Sequence, residues 1–158
     1  MKSMIPRPFL LRVIVTVAVT GLVSAVLSGA TESSRPSSKD EAEIRAVLSA
    51  QVAAWNRGEI DGFMNGYARS AATEFIAGDK LTRGWQTVRD RYHKKYDSRE
   101  KMGTLTFSEL KITRLSSDAA LVIGRWGLIR KQDKPHGRFT LLFRRTPEGW
   151  RIVHDHTS

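Results

Sequence analysis

The chain has 158 residues, of which 41% are hydrophobic and 27% charged, proportions typical of one globular domain with a short appendage. It contains no cysteine, which excludes thiol nucleophiles, disulfide exchange and thiolate metal sites. The formal net charge is +10, but the basic residues are dispersed and form no dense tract. With no recognised nucleic-acid-binding module either, we expect no nucleic-acid partner.

The first 30 residues have the three-part layout of a secretory signal. Lys2, Arg7 and Arg12 precede an uncharged apolar run at 13–27, and small residues follow at 28–30. That run is shorter than the roughly 20 residues that a membrane-spanning helix needs. The sequence therefore predicts a signal peptide at residues 1–30, export to the periplasm or the medium, and no stable membrane anchor after cleavage. The remaining chain keeps a formal charge of +7, because residues 1–30 hold three cations and no acid.

Helical periodicity begins after a polar lead-in. Residues 31–39 are rich in serine and contain Pro36, which predicts a disordered segment followed by one domain at 40–158. The segment 38–41 has the spacing of a capping box, and apolar residues then recur at helical intervals until Gly58. A second short helix follows at 60–67, and a third begins at Trp85 and extends to Tyr96.

The rest of the domain has the period of strands. A small hairpin is predicted at 73–76 and 80–82, before the third helix, and four long strands joined by short turns follow from residue 103. Leu105 and Phe107 alternate, but Leu110 and Ile112 resume in the opposite phase, which predicts a β-bulge near residues 108–109. The order of elements favours an α+β fold with an antiparallel sheet wrapped around the helices.

The last strand, predicted at 150–155, ends in polar side chains. An apolar strand face that continues into imidazoles is suited to the floor of a pocket. Strict alternation predicts that two sets of residues lie on opposite faces. The first set is Trp150, Ile152, His154 and His156, and the second is Arg151, Val153 and Asp155.

Several segments resemble a SnoaL-like family of the nuclear transport factor 2 and ketosteroid isomerase superfamily. They are residues 54–64, 82–85, 103–107, 124–126 and 150–158, and the resemblance extends over about 41–158. It implies a cone-shaped α+β fold, nuclear transport factor 2-like or cystatin-like, in which a curved antiparallel sheet and the N-terminal helices enclose a cavity. It also implies a homodimer. Relatives include isomerases, cyclases, dehydratases and non-catalytic association domains, so the fold by itself assigns no reaction.

Three residues of the last strand are candidate catalytic groups. Ketosteroid isomerases use a buried carboxylate with a tyrosine and a protonated acid, and that set does not map onto this chain. SnoaL-type cyclases resemble acid–base enzymes with a carboxylate on a strand, which points to Asp155 as a base if it faces inward. If His154 faces inward, its imidazole is the better candidate, and His156 is the third. The two histidines lack an evident third ligand, and no phosphate loop or dinucleotide fingerprint is present, so we expect neither a metal nor a cofactor.

A second set of residues is predicted to bind a ligand: Tyr67, Trp85, Tyr92, Arg125 and Trp126. For the aromatic residues the alternative is a place in the core, and for the arginine it is a structural ion pair. The sequence thus favours a cavity for a small, partly apolar organic molecule of unknown identity, with acid–base chemistry of an isomerase, cyclase or dehydratase type. The alternative is a non-catalytic ligand-binding or dimeric association module, and whether the protein is an enzyme stays open.

Overall fold

The computed structural model describes residues 34–158, with side chains from residue 39 onward. The predicted signal peptide lies outside the described residues and stays a prediction. Within the described part of the chain, no helix combines the length and apolar character needed to cross a membrane. The elements in chain order are α1 (Ser34–Arg57), α2 (Ile60–Met64), β1 (Glu74–Ala77), β2 (Lys80–Arg83), α3 (Trp85–Lys95), α4 (Arg99–Met102), β3 (Thr104–Arg114), β4 (Ala119–Ile129), β5 (His136–Thr146) and β6 (Gly149–Thr157).

The first helix starts earlier than its sequence predicts. It begins at Ser34, so the prediction of a disordered lead-in at 31–39 is wrong for residues 34–39. Pro36 is compatible with this start because the first turn of a helix has no intrahelical partner for its N–H groups, and proline lacks one. The predicted end is confirmed: Gly58 has φ +87°, and its N–H donates to the carbonyl of Trp55 at 2.8 Å.

The sheet has the strand order β2-β1-β6-β5-β4-β3. The four long strands form an antiparallel meander, as predicted, and β1 and β2 form the predicted hairpin. The sheet is nevertheless mixed, because β1 runs parallel to β6. A hairpin that precedes α3 is thereby placed beside the last strand, so β1 and β6 are neighbours within the sheet.

Two β-bulges bend the sheet. The predicted bulge in β3 is confirmed: the register with β4 shifts between Ser108 and Lys111, and Glu109 has φ +52°. A second, unpredicted shift lies in β6, where Ile152 pairs with Phe143 of β5 but His154 pairs with Leu142. Val153 is therefore the extra residue, and it reverses the phase of everything that follows it.

The strict alternation predicted for the last strand is consequently wrong. Trp150 and Ile152 are buried, as expected for the inner face, but the next buried residue is Asp155 rather than His154. A one-residue insertion exchanges the two faces of a strand because side chains alternate with a period of two. The bulge thus turns the carboxylate inward and the imidazoles outward.

Helix α1 lies across the inner face of the sheet. Ile44, Leu48 and Trp55 recur at helical spacing and are at most 2% exposed. Ion pairs made by Asp40 of α1 also join this helix to the sheet. The buried carboxylate of Asp40 contacts Arg114 Nε at 3.0 Å and also binds Arg145.

Candidate functional site

A cavity of about 120 Å³ lies between the helices and the inner face of the sheet. Aromatic rings form much of its wall, and neighbouring ring centroids in this group are 4.7–6.1 Å apart. Most of these contacts are edge-to-face or tilted, and Tyr92 and Tyr96 are stacked. The rings that make these contacts are those of Trp55, Phe63, Phe75, Tyr92 and Tyr96.

One carboxylate faces this apolar space. Asp155 lines the cavity and is only 5% exposed. Its Oδ2 accepts a hydrogen bond of 2.6 Å from the hydroxyl of Tyr67, which follows α2 and also lines the cavity. Its Oδ1 is buried and has no hydrogen-bond partner among the described residues. One oxygen is therefore held in place, whereas the other is a buried acceptor left unsatisfied among the described residues.

Burial changes the acidity of this carboxylate. It raises the pKa of Asp155 from 3.8 to about 7, and the hydrogen bond from Tyr67 and the charge of His154 offset part of that rise. A group with this pKa exchanges its proton readily near neutral pH, which is the property required of a general acid or base.

Two tyrosines stay protonated beside it. Burial raises the pKa of Tyr67 well above 10, and the negative charge of Asp155 adds to the rise. The pKa of Tyr92 is raised well above 10 by the same two causes, in the same order. Both side chains are therefore phenols at neutral pH and can donate hydrogen bonds inside the cavity.

The two histidines lie on the opposite face of β6. His154 Nδ1 is 3.0 Å from Glu74 Oε2, and Glu74 also accepts hydrogen bonds of 2.7 and 2.9 Å from Arg83. His156 is exposed. Neither imidazole lines the cavity, because the bulge at Val153 directs both away from it.

The predicted ligand-binding residues divide into two groups. Tyr67, Tyr92 and Trp126 line the cavity. Trp85 does not line it; its indole donates to the carbonyl of Met64 at 3.1 Å. Arg125 is also outside the cavity, where its Nε lies 3.8 Å from Glu109. The structural ion pair is therefore the role that the geometry supports for this arginine.

Sequence reasoning missed several cavity residues. Arg91, Lys95 and Tyr96 line the cavity from α3 and the residue after it. The signal for these three was the helical spacing, because residues 91, 92, 95 and 96 occupy one side of the helix. Gln51 of α1 also lines the cavity, and its amide donates to the carbonyl of Phe63 at 3.1 Å. A single glutamine in an amphipathic helix gave no such signal.

The outer face of the sheet is mixed in character. Its large exposed hydrophobic side chains lie apart, on β2, in the turn after β3 and at two distant points of β4. Charged side chains lie between them, including Arg138, whose guanidinium is 2.9 Å from Glu109. Among the described residues, no group of three or more histidine, aspartate or glutamate side chains is arranged to hold a metal ion. The exposed hydrophobic residues are Leu81, Leu115, Ile123 and Ile129.

Comparisons with solved structures find the same architecture in bacterial proteins. A nuclear transport factor 2-like protein of unknown function from Shewanella oneidensis is 39% identical over 75% of this chain and 98% of its own, with a TM-score of 0.72. A domain of unknown function with a cystatin-like fold from Nostoc punctiforme is 22% identical over 76% of each chain, with a TM-score of 0.65. A nuclear transport factor 2-like protein from Salmonella enterica is 21% identical over 77% of this chain and 92% of its own, with a TM-score of 0.62.

The sequence itself gives the family. A comparison with curated proteins finds none that matches the chain. Residues 44–158 match the family described as the SnoaL-like domain. The matched segment runs from Ile44, the first core residue of α1, to the end of the chain after the last strand. The predicted α+β fold is confirmed by this match and by the structural neighbours. The chain belongs to the SnoaL-like domain family, within the nuclear transport factor 2-like superfamily.

Proposed function

We propose that this domain binds a small, partly apolar organic molecule in its cavity and catalyses proton transfer on it. One observation supports this proposal most directly. The cavity is apolar, yet it contains a buried carboxylate with one oxygen bound to Tyr67 and the other without a partner among the described residues. A buried polar atom without a partner is costly for stability, so its presence in a cavity is typical of a functional group.

The proposed reaction begins at Oδ1 of Asp155. The ionised carboxylate accepts a proton from a carbon next to a carbonyl group of the substrate. The C–H bond breaks, an O–H bond forms on Oδ1, and the electron pair of the C–H bond moves into the carbonyl group to give an enolate. If the substrate has a C=C bond next to the reacting carbon, the enolate is conjugated with it, and return of the proton to the far end of that bond completes an isomerisation. If the proton on Oδ1 is first replaced by one from solvent, return to the original carbon completes an exchange. A pKa of about 7 allows both the acceptance and the return near neutral pH.

The two phenols have distinct parts in this proposal. Tyr67 orients the carboxylate through Oδ2, and Oδ1 has no partner among the described residues. Tyr92 lines the same cavity and stays protonated, so it is the candidate donor to the oxygen of the enolate. A donor positioned where charge develops stabilises the transition state strongly in a site that excludes water.

Proton exchange with a model ketone tests the proposal without knowledge of the natural substrate. 2-Tetralone has a ring suited to the aromatic cavity and acidic hydrogens next to its carbonyl. We expect the full chain to accelerate deuterium incorporation from heavy water at about pH 8, as followed by proton NMR. Asp155→Asn keeps the size and polarity of the side chain but removes the base, and it should lower the enzymatic rate at least about a hundredfold.

Asp118→Asn is the matched control. Asp118 lies in the turn before β4, where it pairs with Arg144 at 2.8 Å, and its side chain is half exposed. This variant removes the same charge outside the cavity and should retain the full rate. Equal exchange by the wild-type protein and Asp155→Asn, or no acceleration above buffer, would contradict the proposed chemistry.

We further propose that the domain acts outside the cytoplasm after removal of residues 1–30 and that it forms a homodimer. The sequence layout supports the first proposal and the resemblance to dimeric relatives supports the second. N-terminal sequencing of the protein recovered from a periplasmic or culture fraction tests the cleavage. Native mass spectrometry of the same sample tests the dimer, and it also shows whether an organic molecule is retained. An intact N terminus in that fraction would contradict cleavage, and a monomer mass would contradict the dimer.

A further inference from the structure

Two cations of α3 connect the cavity with the protein surface. Arg91 and Lys95 line the cavity, and both also line a neighbouring surface groove. They are four residues apart, so their side chains lie on the same side of the helix. The described residues that line the groove include five cations and no carboxylate. We call Arg91 and Lys95 the cationic rim.

Among the residues that the structure describes, neutral side chains hold Arg91 in place. Its Nη1 donates to the hydroxyl of Thr82 at 2.9 Å, and its guanidinium carbon lies 4.8 Å from the centroid of the Phe75 ring. A guanidinium has five N–H donors, and within the described part of the chain the Thr82 hydroxyl accepts from one of those of Arg91.

Another arginine of α3 shows the contrast. Arg89 is bound by the carboxylate of Asp61 at 2.7 and 3.0 Å. Among the described residues, neither member of the cationic rim lies within 4.0 Å of a carboxylate oxygen. A fixed arginine at a cavity without a counter-ion is suited to receive an anion from a ligand, since its planar fork matches a carboxylate.

The register of the sheet places Thr82, whose hydroxyl holds Arg91, two strands away from the proposed base. Thr82 pairs with Phe75, and Phe75 pairs with Asp155, so the three residues lie side by side on β2, β1 and β6. The backbone positions of Thr82 and Asp155 are therefore two strand spacings apart, which is about 10 Å across the sheet. The Phe75 ring lies between them and lines the cavity. One substrate ring and a short linker span this distance.

We propose that the natural substrate is a small organic carboxylate with an aromatic or alicyclic ring. Arg91 and Lys95 bind its carboxylate, and the ring lies among the cavity aromatics with its reacting carbon near Asp155. This substrate class rests on the function proposed above, which supplies the reacting end. The cationic rim supplies the other end, and the positive charge of the groove favours the approach of anions.

Calorimetry with two matched probes tests the proposal. 3-Phenylpropanoate and 3-phenylpropanamide have nearly the same shape, but only the first is an anion. At about pH 6 the propanoate is ionised while Asp155 is largely protonated, so the carboxylate of the protein does not repel it. We expect the full chain to bind the propanoate at least roughly tenfold more tightly than the amide.

Substitutions of Arg91 and Lys95 test whether the preference for the propanoate depends on the cationic rim or on the general positive charge of the surface. Arg91→Gln should remove the preference for the propanoate and leave the affinity for the amide unchanged, and Lys95→Gln should weaken the same preference. Lys94→Gln is the matched control, because Lys94 lines the groove but not the cavity, and the preference should persist. Thermal unfolding confirms that each variant is folded. Equal affinities for the two probes, a preference that survives Arg91→Gln in a folded protein, or no binding of either probe at millimolar concentration would overturn the proposal.

This result is separable from the test of the proposed function, because 2-tetralone is uncharged. Loss of tetralone exchange in Asp155→Asn without an anion preference would refute the substrate class and leave the proton-transfer function standing. An anion preference without tetralone exchange would refute the chemistry and leave an anion-binding cavity.

Discussion

The hydroxyl of Tyr67 donates a 2.6 Å hydrogen bond to Oδ2 of Asp155, and both residues are at most 5% exposed. The two residues are 88 positions apart in the chain. Their contact joins the segment after α2 to the last strand at the wall of the cavity. Because the bond engages only Oδ2, this one contact distinguishes the two carboxylate oxygens: Oδ2 is fixed by Tyr67, and Oδ1 has no partner among the described residues.

Tyr67→Phe removes the donor and keeps the ring. The hydrogen bond favours the ionised carboxylate, so its loss should raise the pKa of Asp155 above its value of about 7. Titration of the carboxyl carbon by NMR measures this shift. We also expect a loss of about 1–3 kcal/mol in the free energy of unfolding, because the carboxyl loses its hydrogen bond. Tyr96→Phe is the control, since Tyr96 lines the cavity without a hydrogen bond to Asp155; a similar shift in that variant would show that the hydroxyl contact is not the cause.

The buried carboxyl should also make stability depend on pH. The pKa of Asp155 is 3.8 when unfolded and about 7 when folded, so between these values the folded state binds a proton that the unfolded state lacks. The stabilisation is complete below about pH 4 and is lost as the pH rises through 7, with a slope of up to about 1.4 kcal/mol per pH unit.

Asp155→Asn should lack this contribution. We expect the variant to gain stability relative to the wild-type protein as the pH rises from about 4 to about 7. Urea unfolding at a series of pH values measures the difference. A constant difference across that range would mean that Asp155 does not titrate with a raised pKa.

A glycine on the inner face of β4 supports the shape of the cavity. A Cβ atom at Gly124 would lie 2.5 Å from the ring of Phe139 and 2.8 Å from Leu110. Phe139 lines the cavity, so Gly124→Ala should displace its ring and reduce the free energy of unfolding by about 1–3 kcal/mol. Gly127→Ala is the control on the same strand, where the nearest atom would be 3.3 Å away. Equal unfolding midpoints in urea for Gly124→Ala and the wild-type protein would be incompatible with this packing.

The ion pairs of Asp40 should anchor α1 to the sheet. Asp40 is 6% exposed and binds Arg114 and Arg145, whose side chains are 31% and 40% exposed. Because both arginines retain contact with water, we expect Asp40→Asn to cost about 1–3 kcal/mol rather than the larger cost of a fully buried pair. Glu43 is more exposed and lies 3.4 Å from the same Arg145, so Glu43→Gln should change the stability by less than about 1 kcal/mol. Similar losses in both variants, measured by urea unfolding, would refute a special role for Asp40.

Local patterns predicted most of the elements. The apolar spacing from Ile44 to Trp55 identified α1, and the strand pattern at 73–76 and 80–82 identified the hairpin. The change of phase after Phe107 identified the first bulge, because each side of it has enough alternating residues to define a face. The start of α1 was missed, since a serine-rich segment with a proline has low intrinsic helix propensity.

The candidate site was predicted only in part, and β6 shows why. Asp155 was recognised as a possible base, but strict alternation placed it on the face opposite Trp150 and Ile152. The same alternation placed His154 and His156 on the inner face. The bulge at Val153 lies only two residues before Asp155, so the polar end of the strand is too short to reveal the new phase. The assignment of the inner face therefore required the register with β5.

By itself, the sequence determined the order of the strands and of every helix except the short α4, together with the α+β fold and the family, because these depend on local periodicity and on segments that are contiguous in the chain. Only the tertiary structure decided which polar side chain faces the cavity and which groups surround it. Tyr67, Arg91 and Asp155 come from distant segments, and they meet at one cavity because β1 pairs with β6 and α3 packs over that edge of the sheet. The raised pKa of the carboxyl has the same origin, since desolvation depends on the atoms packed around a group and not on its neighbours in sequence.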